Sequence, residues 1–166
     1  MYFGESVIEE GFFDKFKKKK EEPKKDETHR ASTAEEIKNI KTLVKGYVTY
    51  FNSSKAKSDP VVIKATNDFK NQYNEIKKEE GKEYADEEFN NGKIPKLIFS
   101  IFEERSDYLY IEICDDTQEC RSWYACDIIN EMIRKLKQDI PNYSEFIKEI
   151  SSGDGDEGIL YIDFYK

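Results

Sequence analysis

One histidine, three cysteines and a scatter of acids are what the chain offers for conventional catalysis, which bounds its chemistry quickly. His29 lies in the stretch 17–30, KKKKEEPKKDETHR, which has no Ala, Val, Leu, Ile, Met, Phe, Tyr or Trp. A Ser–His or Cys–His nucleophile needs its base held beside it, and a segment that buries nothing cannot hold one. No GxxxxGK[ST] loop occurs, so that phosphate cradle is missing. Cys114, Cys120 and Cys126 are spaced C-x5-C-x5-C. Structural zinc favours close pairs and four ligands, and here the fourth would have to be a carboxylate or His29. Reduced thiols without metal or cofactor are therefore expected. Asp154, Asp156 and Glu157 resemble part of a calcium loop, but Gly158, Ile159 and Tyr165 fall where the fifth, sixth and twelfth positions require other residues. A solvated acidic turn is the better reading. The sequence predicts a protein without enzymatic activity.

Two further sets of side chains would act by binding. Tyr108, Tyr110, Tyr161 and Tyr165, with Phe102, fall on one side of strands of period two. Such rings can stack nucleobases, but Glu112 and Asp163 interleave with them, and acids repel phosphate. The expectation is that helices cover part of this face, with Tyr108, Tyr110, Tyr161 and Tyr165 as a candidate partner surface. The second set is Lys15, Lys17, Lys18, Lys19 and Lys20, a candidate nucleic-acid contact. Glu21, Glu22, Asp26 and Glu27 dilute it, so the contact would be weak, and a solvated linker is the competing reading.

The elements that must position these residues begin at Ser32. Thr33 with Glu36 forms a capping box, and Ile37, Ile40, Val44, Tyr47 and Phe51 make one helix face. Asp59-Pro60 restarts a helix, Asp59 as cap and Pro60 at the first position, with Val62, Thr66, Phe69, Tyr73 and Ile76 as its stripe. The pair reads as a helical hairpin. Asn90-Asn91-Gly92 ends the helical pattern. Residues 96–103 hold a nearly continuous apolar run and residues 108–114 alternate, which predicts two strands. A long helix follows, carrying Cys126, Ile129, Ile133, Leu136 and Ile140. Pro141 stops it, residues 143–150 read as a short second helical segment, and 159–166 as a last strand. The order α-α-β-β-α-β predicts an α+β domain: a helical hairpin plus a three-stranded sheet, with the long helix across one face and the hairpin over the other.

The chain has 166 residues, 37 % hydrophobic and 37 % charged. That balance suits a folded body with an unfolded appendage. We divide it into a leader at 1–10, a flexible lysine-rich arm at 11–31 and a single domain at 32–166. Net charge is −8, to which residues 1–10 contribute −3 through Glu5, Glu9 and Glu10. Residues 11–30 contribute +3, with eight Lys/Arg against five Asp/Glu, so the remainder carries −8. No apolar run is long enough to span a bilayer, and the start lacks the pattern of a signal peptide.

The opening MYFGESVIEE-GFF resembles the leader of internal head proteins of T-even-type phages. Those leaders are about ten residues long in that family and are removed by a head protease that cuts after Leu/Ile-x-Glu, before a small residue. Ile8, Glu9 and Glu10 match the recognition element and Gly11 the small residue, with Tyr2 and Glu5 in keeping. The resemblance covers residues 1–11, and Ile101-Phe102-Glu103 satisfies the same short pattern inside an expected strand. It implies a virion protein packaged in the head interior, matured by cleavage after Glu10 by the phage head protease, and delivered to the host cytoplasm to bind and inhibit a host protein. The competing reading is a cytoplasmic interaction or immunity-type protein, whose N-terminal amphipathic segment docks on a partner or a membrane.

Overall fold

The computed structural model describes residues 28–114, 123–152 and 158–166. The leader (with Ile8, Glu10 and Gly11), the lysines at 15 and 17–20, Cys120 and the turn acids Asp154, Asp156 and Glu157 lie outside them. The described elements run α1 (Ala34–Asn52), α2 (Pro60–Glu80), α3 (Lys82–Glu88), β1 (Leu97–Arg105), β2 (Tyr108–Cys114), α4 (Trp123–Asp139), β3 (Ile147–Ser152) and β4 (Ile159–Phe164). The chain is an α+β protein. It divides into two compact units. In the first, made of residues 1–30 and 144–146, the Arg30 N–H donates to the Glu145 carbonyl at 2.9 Å and the guanidinium lies 5.0 Å from the Phe146 ring centroid. The second, residues 31–143 and 147–166, holds the sheet and the long helices.

The sheet has four antiparallel strands in the order β1-β2-β4-β3, not the three expected. The extra strand is Ile147–Ser152, which falls where the sequence suggests helix. Its buried residues Ile147 and Ile150 are three apart, a helical spacing. A register irregularity between Ile147 and Glu149 lets both face the core from a strand. Across the sheet Leu109 pairs with Ile162, Ile111 with Leu160 and Ile150 with Ile162, and all of these are buried. Each such side chain contributes about 1.5–3 kcal/mol by leaving water. Between β3 and β4 the sequence GDGDEG has GxGxxG spacing, but the dinucleotide fingerprint needs a strand followed by a helix. Here the flanking elements are two antiparallel strands.

The α1 capping box forms as expected: the Glu36 N–H donates to Thr33 Oγ1 at 3.1 Å and the Thr33 N–H to Glu36 Oε1 at 2.9 Å. Asp59 caps α2 by accepting from the Val61 N–H at 2.9 Å, and its other oxygen accepts from the Tyr50 hydroxyl at 2.8 Å. The two helices do not form the expected hairpin layer over the tyrosines. α1 packs on β1 and α4, and α2 packs mainly on α4. Lys41 of α1 pairs with Glu104 at 3.0 Å, and Glu104 stands opposite the buried Leu109, so α1 shares the core side of the sheet with α4. α4 is thus enclosed by sheet and helices together. Its buried surface centres on Ala125, Ile128, Ile129, Met132 and Leu136, wider than the expected stripe, with Cys126 and Ile133 only half-buried. Among the described residues, no helix is long and apolar enough to cross a membrane.

Where α2 meets α4, the carboxyls of Asp68 and Asp127 share one lysine and perturb each other's titration. Lys64 Nζ lies 2.7 Å from Asp68 Oδ2 and 3.5 Å from Asp127 Oδ2, the latter buried without a hydrogen bond. Burial first, then the bond to Asp68, pushes Asp127 up to about 6, while the bonds to Asp127 and Lys64 hold Asp68 below the usual range. A carboxyl raised in the folded state binds its proton more tightly folded than unfolded. Its contribution to stability is complete below about pH 4 and is lost as pH rises through about 6. Asp68 works in the opposite sense, below that window. Stability should therefore fall by about 1 kcal/mol between pH 4.5 and 7.5, a figure discounted for solvent access to the pair. Asp127→Asn, which keeps a donor toward Asp68, should flatten the fall. Urea midpoints at the two pH values measure it, and an equal fall in both proteins would refute the raised Asp127 carboxyl as its source.

Candidate interaction surface

The sheet side away from α1 and α4 carries the tyrosines, because residues of period two on β2 and β4 point there. Tyr110 stands opposite Tyr161, Tyr108 opposite Asp163, and Glu103 of β1 opposite Tyr110. The Tyr108 and Tyr110 rings are stacked, centroids 4.5 Å apart and planes 24° apart. Tyr110 meets Tyr161 edge to face at 4.3 Å and 86°. The three rings are half-buried against each other, with Tyr110 at the centre. Cross-strand aromatic pairs of this kind contribute about 0.2–1 kcal/mol each to the sheet, so the cluster is pre-ordered before anything binds.

Acids frame the rings. The Tyr108 hydroxyl donates to Glu103 Oε2 at 2.6 Å, and this bond, more than burial, raises the phenol above its ordinary value. Arg105 lies 5.5 Å from the Tyr108 centroid and 3.2 Å from Glu103 Oε2. Tyr110 is raised first by burial and then by Asp163, Glu103 and Asp107. Asp163 is itself raised, first by burial and then by Glu149, its cross-strand neighbour. Like charges directly opposite are unfavourable, and a cation arriving between Asp163 and Glu149 would relieve them. Chemically the surface offers flat, low-entropy aromatic area and more acid than base, which fits a basic protein surface better than a nucleic-acid backbone.

Of the expected partner residues, the structure brings Tyr108, Tyr110 and Tyr161 together. Tyr165 is half-buried just past the end of β4. Phe102 does not join the cluster as a regular strand position: the β1 register is irregular between Ile101 and Glu103, and Phe102 is 60 % exposed on this edge strand, near the exposed Ile98 and Ile101. Glu149 was hidden from sequence reasoning by the helical spacing of its segment. Among the described residues, no group of three His, Cys, Asp or Glu is placed to hold a metal ion. Comparison with protein-family models, with curated proteins and with solved structures finds no match.

Proposed function

We propose that this chain is a non-enzymatic phage virion protein, packaged in the head, matured by cleavage after Glu10 and delivered to the host cytoplasm. There its tyrosine–acid sheet face binds and inhibits a host protein with a basic surface. The observation that carries the binding half is the pre-ordered Tyr108–Tyr110–Tyr161 cluster framed by Glu103, Glu149 and Asp163, on the side of the sheet away from α1 and α4. A nucleic-acid-binding host enzyme is the natural class of partner, since a negative surface of this kind can occupy the site that phosphates use. What supports the packaging half is the Ile8-Glu9-Glu10-Gly11 sequence, followed by a lysine-rich arm suited to lie beside packaged DNA.

The reading makes a direct demand on the particle. In intact virions the protein should survive external protease and become digestible after osmotic shock empties the heads. Digestion in intact particles would place it outside the head and refute packaging.

A further inference from the structure

A second site, independent of the sheet face, lies between the end of α1, the first half of α2 and the segment leading into β1. It is a cavity of about 520 Å³, in the size range of small-molecule pockets. Its apolar wall includes Phe51, Val62 and Pro95, all buried. Asn52 makes this wall rigid: its side-chain amide donates to the Leu97 carbonyl at 2.8 Å and its Oδ1 accepts from the Leu97 N–H at 3.0 Å, locking the end of α1 to the start of β1.

Two features give the cavity a chemical preference. Tyr124 of α4 lines it and is only 3 % exposed, yet its hydroxyl has no hydrogen-bond partner among the described residues. Burial alone raises that phenol above its ordinary value. The oxygen itself keeps some solvent access, so the donor is open to whatever enters the cavity. Lys57 and Lys96 also line the cavity, neither makes an ion pair among the described residues, and no lining residue is acidic. On a chain with 35 acids and a net charge of −8, this is a local reversal of sign.

We propose that the cavity binds a small amphiphilic carboxylate. Its apolar body lies against Phe51, Val62 and Pro95, its carboxylate accepts from the Tyr124 hydroxyl, and Lys57 and Lys96 balance the charge. The apolar wall covers one side of the ligand's chain, and the three donors select an anion over an alcohol or a cation of equal length.

Sodium octanoate, 1-octanol and octyltrimethylammonium, each below its aggregation limit, test this by titration calorimetry on the full chain. Octanoate should bind saturably at one site, and the other two at least tenfold more weakly. Tyr124→Phe should weaken octanoate about tenfold while leaving the melting temperature unchanged or higher, because the lost hydroxyl bonds to none of the described residues. Lys57→Gln with Lys96→Gln should remove the preference for octanoate over octanol. Ile63→Trp, at a wall residue already 46 % exposed, should block binding without touching the core. Absence of saturable binding, equal binding of octanol, or an unchanged affinity in Tyr124→Phe would each overturn the assignment.

Discussion

Replacing Phe69 by alanine should remove about 3–5 kcal/mol of stability, a large share of the roughly 5–15 kcal/mol a domain possesses. Phe69 is fully buried on α2 and meets Phe89 edge to face at 5.9 Å. With Val62 and Ala65 it forms the buried stripe of α2, whose main packing partner is α4. Truncation would leave a void that neither helix can close without losing its contacts to the other, so the transfer and cavity costs add. Phe69→Leu keeps most of the volume and should cost well under half as much. Urea unfolding checks both, the midpoint shifting while the slope stays constant. A loss below about 1 kcal/mol in the alanine variant would mean that α2 does not pack on α4 as described.

The second large effect belongs to the tyrosine cluster. Tyr110→Ala removes the ring that touches both Tyr108 and Tyr161. Central aromatic residues of an interface typically cost 2 kcal/mol or more on truncation, so retention of the proposed host partner should drop at least about thirtyfold. Because the ring is only half-buried, the melting temperature should move little. Glu112→Lys, a charge reversal on the same face, should weaken binding less and change its salt dependence, as rim charges do. Quantifying the host proteins retained by immobilised wild-type and variant chains decides this. A basic protein held by the wild type and lost by Tyr110→Ala is the expected outcome. An identical retained set for both would show that the cluster is only part of the sheet's packing.

Much of the frame was legible because its signals are local. Thr33 with Glu36, and Asp59 with Pro60, each specify a helix start within four residues, and both caps form. The alternation over 108–114 placed Tyr108 and Tyr110 on one face and Leu109, Ile111 and Ile113 on the other, and β2 has those bounds. What escaped depends on distant partners or on irregular geometry. The apolar residues of 146–150 satisfy a helical period, and only the irregular pairing beside β4 makes them a strand. The hairpin reading followed from a short polar connection, whereas α2 is drawn instead to α4, whose broad apolar surface lies far along the chain. No spacing rule joins Asp68 to Asp127 or Asn52 to Leu97, since those pairs exist only once the helices pack. The cavity escaped for the same reason, because Lys57, Lys96 and Tyr124 come from three separate segments.

The proposed packaging and maturation rest on the first eleven residues, and cleavage there would have a physical consequence. Removing residues 1–10 takes away Glu5, Glu9 and Glu10 and no base, so net charge moves from −8 to −5. The new start, GFFDKFKKKK, is distinctly basic, the sense required of an arm lying beside DNA. A docking role for the same segment demands the reverse, because Phe3, Val7 and Ile8 would form half of its apolar face. Intact-mass spectrometry of the protein recovered from purified virions separates the two. The account predicts a chain that begins at Gly11. A chain in the virion still beginning at Met1 or Tyr2, or the absence of the protein from the virion, would contradict it.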